Sequence, residues 1–247
     1  MRKVTLTVTA ILIIAASSYG VRAGFGGYYL LGIPMGEATI TEATATFMGE
    51  SLTATIDMTD GYPFKMGPAN FGVGGVVYFI PMLGAEGGFE MHTGYKNKEA
   101  TIKGMYTVGG ETFPVQYREK EDNVTWKMNN VYAGARFTYP TATGINPVGC
   151  GGLLISMSKI EYAEEFEGEP FEGDLSASGT HLGVYLGGGV DYFVTRNVAI
   201  TAVLKYNALF EGTYDYEGYF VGPEVNYEEK WKPSPYLTTA FGVGYYF

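Results

Sequence analysis

After its first 23 residues the chain alternates apolar and polar or small residues with a period of two and shows almost no helical period. The final segment, PYLTTAFGVGYYF, carries Leu237, Thr239, Phe241, Val243, Tyr245 and Phe247 on one face, and Tyr236, Thr238, Ala240, Gly242, Gly244 and Tyr246 on the other. Earlier segments repeat the design. Val198, Ile200, Ala202, Leu204 and Tyr206 oppose Ala199, Thr201, Val203, Lys205 and Asn207, while Leu182, Val184, Leu186, Val190 and Tyr192 oppose Gly183, Tyr185, Gly187, Gly189 and Asp191. One face is bulky and uncharged; the other mixes glycine with tyrosine and charge. Such a pattern predicts an all-β antiparallel fold, not a helical one.

Further strands are predicted over NNVYAGARFTY, GGLLISMSK, NFGVGGVVYF and MLGAEGGFEMH, with a first strand in GFGGYYLLGI. TATFMGESLTATID also has strand character. Short connections at 80–82, 140–146 and 195–197 alternate with long segments at about 34–67, 97–123, 162–178 and 212–234. Short turns at one rim and long loops at the other, with an even number of strands, predict an up-and-down transmembrane β-barrel of eight strands. The turns would be periplasmic and the loops extracellular.

The N-terminus fits export. Arg2 and Lys3 precede an apolar run from Leu6 to Ala16, and Val21-Arg22-Ala23 supplies small residues for cleavage. Residues 1–23 are therefore expected to be a signal peptide, leaving 24–247 as the barrel domain. Without Arg2, Lys3 and Arg22, thirteen basic residues face 26 acidic ones, a net charge of −13. That balance argues against nucleic acid as a partner.

The bulky face must meet lipid for a second reason. Charged residues are 17% of the chain, below the quarter or so usual in soluble domains. A soluble barrel keeps its apolar face inward, but the Gly, Tyr and charge of the opposite face suit a narrow polar lumen better than a hydrophobic core. A sheet in lipid must close on itself to satisfy its backbone.

These features resemble the small Gram-negative outer-membrane barrels of the OmpW, OmpX and OmpA-transmembrane-domain type. The signal peptide, LGGGVDYFVTRNVAI as a strand–turn–strand unit and the ending FGVGYYF carry the resemblance. It implies that Phe241, Val243, Tyr245 and Phe247 form the signal read by the barrel-assembly machinery. Eight strands leave an interior that side chains nearly fill, so a non-enzymatic structural or surface-interaction role is expected. The OmpW resemblance implies, as the alternative, a narrow channel for small molecules, hydrophobic ones included. Outer-membrane lipids and lipopolysaccharide are the implied surroundings; the oligomeric state is left open.

Five ionisable residues fall on lumen-facing positions: Glu86, Glu90, Arg136, Asp191 and Lys205. Glu86 and Arg136 sit at similar heights on neighbouring strands, where opposite charges offset the cost of burial. They would serve as a fixed plug or as an electrostatic gate. The stretch EYAEEFEGEPFEGD holds seven acids and no base, and reads as a solvated acidic loop or as a bridge through divalent cations to lipopolysaccharide. Trp126 and Trp231 are expected in an aromatic girdle at the outer interface.

Catalytic signals are sparse. The two histidines, His92 and His181, have Thr93 and Ser178 nearby but no triad motif, which leaves a lipid-modifying enzyme as the least favoured reading. The acids do not follow a calcium-loop order, and no helix follows the glycine-rich stretches to make a phosphate loop. No cofactor or metal is expected. The single cysteine, Cys150, excludes a disulfide framework and reads as an inert thiol, buried or facing lipid.

Overall fold

A computed structural model describes residues 22–47, 49–65, 70–121, 123–162, 165–166, 169–170, 176–217 and 225–247. Most of the expected leader and part of the acidic stretch 161–174 lie outside the described residues. The strands, in chain order, are β1 (Arg22–Pro34), β2 (Glu37–Phe47), β3 (Glu50–Asp60), β4 (Tyr62–Lys65), β5 (Asn70–Ile80), β6 (Leu83–Asn97), β7 (Ala100–Val108), β8 (Glu111–Glu119) and β9 (Val124–Thr138). They continue as β10 (Ile145–Tyr162), β11 (Glu165–Phe166), β12 (Glu169–Pro170), β13 (Ser176–Phe193), β14 (Val198–Leu209), β15 (Gly212–Glu217), β16 (Val225–Lys232) and β17 (Tyr236–Tyr246).

Every pairing is antiparallel, and the pairings build two storeys. At the short-turn end the ladder runs β1–β5–β6–β9–β10–β13–β14–β17 and returns to β1. Above it β6, β9, β10 and β13 continue, still paired with one another, while the outer two, β6 and β13, change their other partner. There β13 pairs with β15, β15 with β16, β16 with β2, β2 with β4 and β4 with β6, so the pairing closes a second time. The far end of β2 also carries a flap, β3–β7–β8. β10 and β13 have 18 residues each. That is well beyond the 9–11 residues or so a tilted strand needs to cross a bilayer.

The expectation of loops over 34–67, 97–123 and 212–234 is thus corrected: the described residues of these segments include β2–β4, β7–β8 and β15–β16. Stretches such as EATITEATATF do alternate with period two. Their small residues lack the bulky outward row of the lower strands, so the alternation is easily taken for loop.

Local chemistry fixes the short turns. Gly144, with φ of +77°, turns the chain between β9 and β10, and Asn146 Oδ1 accepts from Thr141 N at 2.9 Å. Between β13 and β14, Thr195 Oγ1 accepts from the amides of Asn197 and Val198 at 3.2 and 3.0 Å. In the flap, Gly109 and Gly110 both have positive φ, as a tight hairpin requires.

The outside of the lower storey is apolar. Phe25, Tyr29, Phe71, Val73, Leu204, Phe241 and Val243 all point outward, and Leu153 and Leu186 are 69% and 70% exposed. Soluble monomers rarely show a contiguous apolar belt of this kind. The interior of the same storey holds the charges described next, and Cys150 is buried there.

Candidate functional site

The wall of the lower storey brings all five lumen charges into the interior, each less than a tenth exposed. Near the short turns, Arg136 on β9 places Nη2 2.9 Å from both carboxylate oxygens of Asp191 on β13, and Nη1 3.2 Å from Glu86 on β6. Thr201 on β14 donates to Asp191 at 2.8 Å, Tyr246 on β17 donates to it at 3.3 Å, and Tyr185 donates to Glu86 at 2.8 Å. One cation is thus held by two carboxylates that carry further donors of their own, the arrangement that makes buried charge tolerable.

One layer higher, Lys205 pairs with Glu90 and stands 3.9 Å from the centre of the Tyr132 ring. His92 Nε2 lies 3.7 Å from the other oxygen of Glu90. Tyr132 and Tyr185 meet edge to face between the two layers, their centroids 5.4 Å apart. Glycine makes room for them. A Cβ at Gly88 would come within 2.6 Å of the Tyr132 hydroxyl, and one at Gly134 within 2.5 Å of the Tyr185 hydroxyl. Tyr132, Tyr185, Thr201 and Tyr246 were not singled out from the sequence, yet each shares the strand parity of the charges it contacts.

Above these layers the filling turns aromatic. Trp126 and Trp231 are 5% and 2% exposed and pack with Tyr62, Phe64 and Tyr214. The girdle expected of them is corrected: both indoles point inward. Trp126 shares the parity of Tyr132 and Arg136 on β9, and its Nε1 donates to the Tyr214 hydroxyl at 3.1 Å. His181 is fully buried, with Nδ1 2.8 Å from the Phe210 carbonyl and Nε2 2.8 Å from the Tyr214 hydroxyl. Nδ1 must therefore donate, and the other ring nitrogen accepts from Tyr214.

Phe241, Val243, Tyr245 and Phe247 stand outward on or beside β17, which pairs with β1 on one edge and β14 on the other. Among the described residues no group of three or more His, Cys, Asp or Glu side chains could hold a metal ion.

A closed β-wall, an apolar belt outside it and buried charge within define an outer-membrane β-barrel. A model of the outer membrane protein beta-barrel domain matches residues 6–228, and the chain belongs to that family, whose place is the outer membrane of Gram-negative bacteria. Solved structures with a similar fold include the outer membrane protein OprG from Pseudomonas aeruginosa, at 12% identity and TM-score 0.49, covering 92% of this chain and 95% of that one. A major outer membrane protein from Thermus thermophilus is 16% identical with TM-score 0.48, covering 91% and 99%. Neisserial surface protein A is 15% identical with TM-score 0.44, covering 92% and 96%. No curated protein matches the chain.

Proposed function

We propose that this protein is an eight-stranded outer-membrane barrel with a filled lumen, acting at the cell surface as a structural or interaction protein and not as an enzyme or an open pore. The ring β1–β5–β6–β9–β10–β13–β14–β17 spans the membrane, the short turns face the periplasm and the second storey stands outside the cell. The observation that carries this reading is the Arg136–Asp191–Glu86 layer beneath the Lys205–Glu90–Tyr132 layer: salt-bridged side chains cross the bore and leave only about 20 Å³ beside them, against β1, β5 and β17. An eight-stranded barrel encloses little more than its own side chains, so two such layers leave no path for hydrated solutes.

His181 is fully buried and its ring nitrogens meet a backbone carbonyl and a tyrosine hydroxyl instead of an acid and a serine, which supports a non-catalytic role. The outward row ending in Phe247 is the segment we assign to the barrel-assembly machinery, and lipid and lipopolysaccharide surround the apolar belt. Liposome swelling tests the reading. Proteoliposomes holding the refolded protein should swell in isosmotic arabinose or glycine no faster than protein-free liposomes. Swelling that scales with the amount of protein would contradict a filled lumen.

A further inference from the structure

The upper storey contains a cavity of about 170 Å³ between β16–β2–β3 and the β7–β8 flap, walled by Ile40, Ile56, Met58, Ile102, Tyr106 and Val115. Two ladders slip beside it. The β16–β2 register shifts between Lys230 and Trp231, and the β3–β7 register shifts between Met58 and Asp60. Irregularities of this kind bend a strand and break its pairing locally, and here the Ile40 amide donates to Met58 Sδ at 3.0 Å. An apolar cavity of about 150 Å³ is large enough to take benzene, so this one suits a hydrocarbon group of that size.

One wall is not apolar. Glu229 lines the cavity and is 8% exposed. One carboxylate oxygen accepts from the Tyr216 hydroxyl and from Trp231 Nε1 at 2.9 Å; the other accepts from the Tyr227 hydroxyl at 2.8 Å. All three donors are neutral. Lys103, which also lines the cavity, pairs with Asp60 at 3.7 Å, and Lys230 pairs with Glu42 at 2.7 Å. Among the described residues no cation pairs with Glu229. A carboxylate offers about four acceptor positions, so one on the Tyr227-bonded oxygen remains. Burying an acid against neutral donors alone is costly; a cation bound in the cavity would offset that cost.

We propose that this cavity binds a small organic ammonium, a primary amine whose hydrocarbon group is about the size of benzene or a hexyl chain. The ammonium donates to Glu229 and the hydrocarbon lies among Ile40, Ile56, Met58 and Ile102. The site is separate from the membrane bore, so it stands whether or not the lumen conducts.

Isothermal titration of the refolded full chain in lipid nanodiscs tests this, with hexylammonium and hexan-1-ol as a pair equal in length and differing in charge. The wild type should bind hexylammonium at least tenfold more tightly than the alcohol. Glu229→Gln should bring the amine down to the alcohol's level. Val115→Trp, at the cavity mouth, should weaken both at least tenfold while leaving β16 intact. Equal affinities for the two ligands in the wild type, or amine uptake unchanged in both variants, would overturn the proposal. Should Glu229→Gln fail to refold, the Met58 methyl resonance of the wild type decides: it should move on addition of hexylammonium, and a stationary resonance would contradict the site.

Discussion

The two storeys share four strands and are built inside out relative to each other. In the lower one the outside is Leu, Val, Ile and Phe, and the inside is Arg136, Asp191, Glu86, Lys205 and Glu90. In the upper one the inside is Trp126, Trp231, Phe64, Tyr214 and Ile160, while outward positions of its strands include Thr44, Thr46, Thr53 and Thr55. The same antiparallel wall passes from one arrangement to the other along β9, β10 and β13. On the proposed placement in the membrane, what changes is the solvent outside. Where lipid covers the wall, apolar surface goes out and the polar groups must satisfy one another within. Where water covers it, the hydrophobic effect fills the interior as in any soluble core.

The largest effect should come from breaking the lower interior. Arg136→Ala strands Asp191 and Glu86 as buried carboxylates, and should lower stability by about 3–5 kcal/mol. Urea unfolding, followed by the heat-modifiable mobility of the folded barrel in gels, measures this. A loss under 1 kcal/mol would mean that water already solvates the cluster.

The upper interior should answer to cavity formation instead. Trp231→Ala removes a buried indole, a change that typically costs about 3–5 kcal/mol in a core. Because the lower ring closes without β15, β16 or β2, the damage should stay local. Limited proteolysis of intact proteoliposomes should cleave the upper strands while a protected barrel fragment survives; complete degradation would show that the storeys unfold together.

Outward positions sharpen the contrast further. Leu186→Arg, facing lipid, should cost about 2–4 kcal/mol, whereas Thr55→Arg on the upper wall should fall within about 0.5 kcal/mol of wild type. Similar losses at both positions would remove the distinction between the two surroundings.

The smallest effect concerns Glu229, whose pKa burial raises above the ordinary carboxylate value. An acid raised in the folded state contributes its stability below its unfolded pKa, and that contribution is lost as pH rises through the folded value. Glu229→Gln should therefore be at least as stable as wild type at pH 7, with any gap closing as pH falls towards 4. Thermal unfolding of the pair across that range checks the sign.

Much of the lower storey was legible because a period of two sorts residues absolutely. Once the bulky row of each strand faces out, Lys205, Arg136, Glu86 and Asp191, on the opposite parity of their own strands, have no place but the interior. The partners of those charges were harder to read. Which tyrosine meets which carboxylate depends on register across strands distant in sequence, such as Tyr185 and Glu86. The upper storey was misread for the reason that separates the two. The rule for a lipid boundary puts Trp126 and Trp231 in a girdle, but on the proposed placement water lies outside at their height, and the large aromatic rings turn in. The threonine and alanine alternation of β2 and β3 carries no lipid-facing signal, so TATFMGESLTATID shows strand character without a place in the wall.

The central claim is that the charge layers close the bore. Single-channel recording of the refolded wild type in a planar bilayer at 1 M KCl tests it most directly. The account expects no stable open level under moderate voltage, with conductance steps appearing only when Arg136 and Lys205 are both replaced by alanine. A steady ohmic conductance in the wild type, unchanged by that double replacement, would contradict it.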